Sequence, residues 1–170
     1  MLEKKEEYRT IFALYMRGVK IILLQFKLYQ ERTSLKDIFI KNTIARALVS
    51  IDAIITLYSM HNETDGWIIL RCLLERLFHL RHLENTNSYE EFNKWSFIKK
   101  YEYMNDINSD TSMKSKLEKS FFQEFHKSKK QYKLYKRENI NWKRGEAKKL
   151  SKDMDMPFLY KYGYDHASLY

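Results

Sequence analysis

Glycine and proline are scarce in this chain of 170 residues, which holds four of the first and one of the second. Folds built from many short strands need those residues at their turns, so an all-β or finely divided mixed architecture is excluded and long helices remain. The expected class is all-α. Cysteine is just as sparse: Cys72 stands alone, so no internal disulfide can form, no paired-cysteine spacing suggests zinc, and a reducing cytoplasm is the expected setting. Long uninterrupted apolar runs are missing too. The two most apolar stretches, "IFALYMRGVKIILLQFKLY" and "IFIKNTIARALVSIDAIITLYSM", are broken by Arg17, Lys20 and Lys27 and by Lys41, Arg46 and Asp52, which argues against membrane insertion. The opening "MLEKKEEYRT" carries acids where a secretory signal needs an apolar core. No nucleophile elbow, phosphate-binding loop, dinucleotide fingerprint or H-E-x-x-H is present. The five histidines, His61, His79, His82, His126 and His166, are scattered. His79 and His82 could share a metal, but Glu75 is the only carboxylate placed to help, so neither a metal nor a cofactor is expected.

What is present builds helices. A hydrophobic fraction of 44% suffices for one core, and the whole of 1–170 reads as a single domain. Residues 3–32 carry Tyr8, Ile11, Phe12, Tyr15, Val19, Ile22, Leu23 and Phe26 at spacings of three and four, the mark of a long amphipathic helix ending in "ERTS". A second helix is expected from Ser34 to Met60, able to pair antiparallel with the first, and a third from Asp65 to Glu84. That third helix is apolar almost all round and is expected to be the most buried. A fourth begins at "SYEE", where Ser88 and Glu91 make a capping box, and runs to Asn108. A basic fifth occupies Thr111 to Arg137, a short one Glu146 to Lys152, and a last one enters at Pro157. No repeat, linker or boundary is visible, so the expectation is one bundle of five to seven helices.

Positive charge is concentrated. Residues 114–149 hold 13 Lys or Arg against four Glu, a surplus equal to the net +9 of the entire chain. Phe121, Phe122, Phe125, Tyr132, Tyr135 and Trp142 are interleaved with those bases. Cations that displace counterions, beside rings that stack on bases, suit a nucleic-acid surface; its residues would be Lys129, Lys130, Lys133, Lys136, Arg137, Lys143 and Arg144. The competing reading makes Leu117, Phe121, Phe125, Ser128 and Tyr132 a core stripe and leaves the lysines to solvate the outer face.

Arg71 and Glu75, four residues apart in "LRCLLERLFHL", lie about 40° apart on one helix face. Leucines surround them, so a desolvated pair is expected, and such a pair needs partners. It is either a structural tie between helices or an anion-binding pocket. Near the end of the chain, Tyr160, Tyr164 and Ser168 are again four apart, and their hydroxyls are expected to satisfy the pair.

"RLFHLRH" sets Arg76 and His82 in an R-x5-H spacing, which resembles the R-x4-6-H motif of the HEPN superfamily of helical proteins, many of them metal-independent endoribonucleases. That resemblance implies that Arg76 stabilises the phosphate and His82 assists proton transfer during attack by the RNA 2′-hydroxyl. Leu77 stands where those proteins usually have a polar residue. A longer resemblance joins "LRCLLERLFHL", "NWKRGEAKKLSKDM" and "FLYKYGYDHASLY". In that order they resemble the domain of unknown function 5677 family of HEPN-like helical bundles, with Arg71, Glu75, Trp142, Tyr160, Tyr164 and Ser168 as the matching positions. The family's usual histidine one turn after Ser168 would lie beyond Tyr170, so the expectation is either a shortened member of the family or a native chain that continues past Tyr170. This longer resemblance implies the fold and the polar cluster; the R-x5-H resemblance to HEPN proteins, together with the basic 114–149 segment, implies an RNA-directed protein, a metal-independent endoribonuclease of a bacterial toxin or phage-defence system. The alternative is a non-catalytic helical binding module for a protein partner or small ligand, dimeric in one form, and a small-molecule enzyme using Arg71 and Glu75 comes third.

Overall fold

The structure is a computed structural model that describes residues 2–29 and 34–169, with side chains described over 6–27 and 34–169. Among the described residues there is no strand. Seven α-helices follow in order: α1 (Leu2–Tyr29), α2 (Leu35–Ser59), α3 (Glu63–Thr86), α4 (Tyr89–Ser109), α5 (Thr111–Lys114), α6 (Lys119–Arg137) and α7 (Ala147–Asp153). A π-helix (Leu159–Asp165) and a 3-10 turn (His166–Leu169) close the chain. The expected end of the first helix in "ERTS" falls at 30–33, outside the described residues. Where one bundle was expected, the chain divides into two compact units, Met1–Thr86 with Arg144–Tyr170 and Asn87–Lys143. The crossings at Asn87 and after Lys143 carry no glycine or proline run that would announce them.

The chain turns without glycine. His61, Asn87, Asn139 and Asp155 take φ of 60°, 48°, 54° and 55° just past the ends of α2, α3, α6 and α7. A left-handed residue there stops a helix, and Asn and Asp tolerate that conformation better than other non-glycine residues.

In the first unit α2 begins at a capping box: Ser34 Oγ accepts from Asp37 N at 3.1 Å while Asp37 Oδ2 accepts from Ser34 N at 3.0 Å. The inner face of α2 buries Ala47, Leu48, Ile51 and Ile54. Ile51 and Ile54 meet Met16 of α1, with Phe12, Val19 and Leu23 beside it and Ile69, Leu70 and Leu73 of α3 completing the cluster. The core face of α1 is therefore the row Phe12, Met16, Val19 and Leu23. Tyr8, Ile11, Tyr15, Ile22 and Phe26, which the spacing had placed inward, are exposed. Both edges of α1 are apolar, so periodicity alone could not choose between them.

Helix α3 lies centrally in this unit, packed on α2, α7 and the closing segment. Leu74 and Phe78 join Leu150 of α7, with Leu159 and Tyr164 against them; each such side chain contributes about 1.5–3 kcal/mol on burial. It is not buried all round, because Ile68, Cys72 and Leu77 face solvent.

The second unit folds α6 back along α4. Tyr101 stacks on Phe125 at 4.9 Å and on Tyr132 at 4.2 Å between ring centroids, and Met104 and Phe121 complete that core. This return corrects the single basic helix expected over Thr111 to Arg137. Asp110 caps a four-residue turn by accepting from Ser112 N and Met113 N, and the chain then leaves helix over 115–118 so that α6 can reverse onto α4. The capping box expected at Ser88 does not form. Ser88 Oγ instead accepts from the buried Trp142 indole at 3.3 Å, and that ring packs on Phe92 and Trp95 at 4.7 and 5.2 Å.

Candidate functional site

In the first unit Glu75 is the hub of a polar cluster. Its Oε1 accepts from the Tyr164 hydroxyl at 3.3 Å and faces Arg71 Nε at 3.4 Å, while its Oε2 faces Arg144 Nη1 at 3.4 Å. Arg71 also lies 4.9 Å over the Tyr164 ring and donates to its hydroxyl at 3.5 Å. The tyrosine hydroxyl, with Glu75 behind it, raises the Arg71 pKa above its ordinary value. Side-chain exposures of 37% for Arg71 and 29% for Glu75 correct the expectation of a desolvated pair: water still reaches both ions. Two arginines around one carboxylate leave a net positive, half-open cluster that suits an anion.

The closing segment supplies Tyr164 by an unusual route. Residues 159–165 are π-helical rather than α-helical, a form common at functional sites. Gly163 lets it come close to α3, since a Cβ there would lie 2.6 Å from Leu74 Cδ1. Of the three expected hydroxyls only that of Tyr164 reaches the pair. Tyr160 stacks on Tyr164 at 5.7 Å, and Ser168 Oγ donates to the Tyr164 carbonyl at 2.8 Å, because the change from π to 3-10 geometry breaks the regular row.

Arg76 and His82 are not brought together. Six residues on one helix place them about 120° apart: Arg76 Nη1 donates to Ser50 Oγ on α2 at 2.5 Å, whereas the His82 ring lies against Gly145, whose Cβ would come within 2.6 Å of Nδ1. His79 lies between Glu75 and His82 on α3. Burial, with Arg144 and His82 adding repulsion, pushes its pKa down to about 4, so the ring is neutral at pH 7.

The second unit carries most of the expected basic residues. The core face of α6 is Phe121, Phe125 and Tyr132, three of the five residues of the expected core stripe, whose Leu117 lies in the non-helical 115–118, and its outer face presents Lys127, Lys130, Lys133 and Arg137 around exposed Leu134. These residues and Gln131 line an open groove of about 470 Å³. Carboxylates sit at the flanks instead: Glu138 pairs with Lys94, Glu124 with Lys100, and Glu102 with both Lys99 and Lys136. The two ammonium groups hold the Glu102 carboxyl below its usual range. Lys136 is thus engaged at 2.6 Å, Lys129 and Lys143 are exposed, and Arg144 belongs to the first unit, on Glu75. No ion pair reaches Lys127, Lys130, Lys133 or Arg137 among the described residues.

Sequence reasoning missed Arg144 as a member of the Glu75 cluster, and nothing local announces it. Among the described residues no group of three or more His, Cys, Asp or Glu is placed to hold a metal ion, and no helix is long and apolar enough to cross a membrane. No curated protein and no solved structure matches the chain. A family model, however, matches residues 37–170, from the first turn of α2 through the polar cluster to the closing segment. The chain belongs to the family of unknown function DUF5677.

Proposed function

We propose that the protein is a cytoplasmic RNA-directed binding protein of HEPN-like type, part of a bacterial toxin or phage-defence system, with the outer face of α6 as its RNA surface. One observation carries this reading: Lys127, Lys130, Lys133 and Arg137 stand together on one helix face clear of the carboxylates that neutralise their neighbours. A strip of unpaired cations some 15 Å long, at 1.5 Å per residue, matches the path of a phosphate backbone, and apolar Leu134 between them gives a nucleobase or sugar something to lie on.

The placement of Arg76 on Ser50 and of His82 on Gly145 favours binding over cleavage. Both readings are tested with one series. Purified protein is titrated with single-stranded RNA at several salt concentrations, and the log–log slope is about −0.7 per phosphate neutralised. Replacing Lys130 and Lys133 together by Gln should weaken binding and lower that slope by about 1.4, two contacts' worth. An unchanged slope overturns the assignment. Cleavage of the RNA that disappears in both Arg76→Ala and His82→Ala would replace the binding reading with a metal-independent endoribonuclease, Arg76 acting on the phosphate and His82 on the proton.

A further inference from the structure

Helix α1 has two apolar faces, and the fold uses one. Phe12, Met16, Val19 and Leu23 face α2 and α3, and the arc bearing Glu6, Thr10 and Arg17 is polar. The remaining arc carries Tyr8, Ile11, Leu14, Tyr15, Ile21 and Ile22, each between 55% and 70% exposed, with Glu7 and Gln25 as the polar residues among them. Their order is a heptad. Tyr8, Tyr15 and Ile22 recur every seven residues, Ile11 and Gly18 fall three residues after the first two, and Leu14 and Ile21 flank the seam.

We infer that this second face of α1 is a self-association surface whose occupant is α1 of a second copy of the chain, lying antiparallel. Two features point to a copy rather than to another surface. The first is fit. Antiparallel helices pair the first heptad position of one with the fourth of the other, which sets Tyr15 on Gly18 of the second copy and Ile11 on Ile22. Nothing lies within 4 Å of a Cβ built on Gly18, so the glycine leaves a notch of the kind a tyrosine ring fills. A parallel pair would set Tyr15 on Tyr15 and leave Gly18 facing Gly18. A membrane surface needs no such notch.

The second feature is area. With about 150–250 Å² for a fully buried aromatic and somewhat less for an aliphatic side chain, six residues exposed to this degree offer roughly 600 Å² per copy, and backbone and flanking atoms bring that towards the ~800 Å² per partner of a stable interface. The helix precedes the residues matched by the family model, so this surface lies outside what family membership brings. Its face is separate from the RNA strip on α6 and does not depend on it.

The test is the solution mass of the full chain at micromolar concentration by sedimentation equilibrium. The expected value is twice 20.8 kDa; the mass of one chain overturns the inference. Tyr15→Glu with Ile22→Glu should return the mass to one chain while leaving the helical circular dichroism unchanged. Should that variant fail to fold, Tyr15→Cys with Gly18→Cys in a Cys72→Ser background decides the matter. An intermolecular disulfide between positions 15 and 18 is expected under mild oxidation. Cross-links of 15 to 15 alone, none at all, or a monomer that sediments with anionic lipid vesicles through α1, each reject the antiparallel pair.

Discussion

The Tyr164 hydroxyl donates to Glu75 Oε1 at 3.3 Å across 89 residues of chain, joining the closing π-helix to the central helix of the first unit. The contact fixes where the closing segment sits, because the same tyrosine ring packs on Phe78 at 5.9 Å and under the Arg71 guanidinium.

Removing only the hydroxyl separates the polar role from the packing. Tyr164→Phe should lower stability by about 1 kcal/mol or less, the net value of a hydrogen bond to a partly solvated carboxylate. Tyr164→Ala should cost about 3 kcal/mol or more, because the ring also leaves the cluster with Leu74 and Phe78. Urea denaturation of both variants gives the two numbers, and near-equal losses would assign the whole contribution to the hydroxyl.

Gly163→Ala places a methyl group 2.6 Å from Leu74 Cδ1. Leu74 is buried and cannot swing freely, so a loss of about 1–3 kcal/mol from overpacking is expected. Combining it with Leu74→Val should recover part of that loss, and a double-mutant cycle with strictly additive effects would show that the two side chains do not compete for the same space.

His79 makes stability pH-dependent. Its folded pKa of about 4 lies below the ordinary 6.5, so between those values the unfolded chain binds the proton and the folded chain resists it. Stability is therefore full above pH 6.5 and falls as pH drops towards about 4. His79→Gln should flatten that stretch of the stability–pH curve measured by thermal melts, and an unchanged curve would mean that another group sets it.

Trp142 holds the second unit together from its C-terminal end. Trp142→Ala should cost about 3–5 kcal/mol, the loss typical of a buried large aromatic, whereas Ser88→Ala should cost about 1–3 kcal/mol by leaving the buried indole N–H without that acceptor. Guanidinium unfolding followed by tyrosine and tryptophan fluorescence orders the two, and a larger effect for Ser88→Ala would contradict the packing account.

Arg71 and Glu75 were legible because i, i+4 neighbours on a helix meet whatever surrounds them, and Tyr164 was legible through its place in the closing row. Arg144 was not, since its approach to Glu75 depends on where the segment after the second unit re-enters the first. Ser88 misled for a related reason: its hydroxyl had the right spacing for a cap, but a buried indole from residue 142 competed for it. The break at 115–118 has no glycine or proline to mark it, and only the return of α6 onto Tyr101 and Met104 demands it.

Local sequence determined most of the helices and their limits, the break at 115–118 and the π-helical close excepted, because a 3.6-residue apolar period, a cap such as Ser34 with Asp37, and asparagine at a helix end each act over a single turn. Tertiary structure alone decided which of two apolar faces of α1 turns inward, that Tyr164 rather than Tyr160 or Ser168 reaches Glu75, and that residues 87–143 form a unit of their own. Those outcomes are settled by packing between residues far apart in the chain, where burial and partner geometry outweigh any preference that neighbouring residues can express.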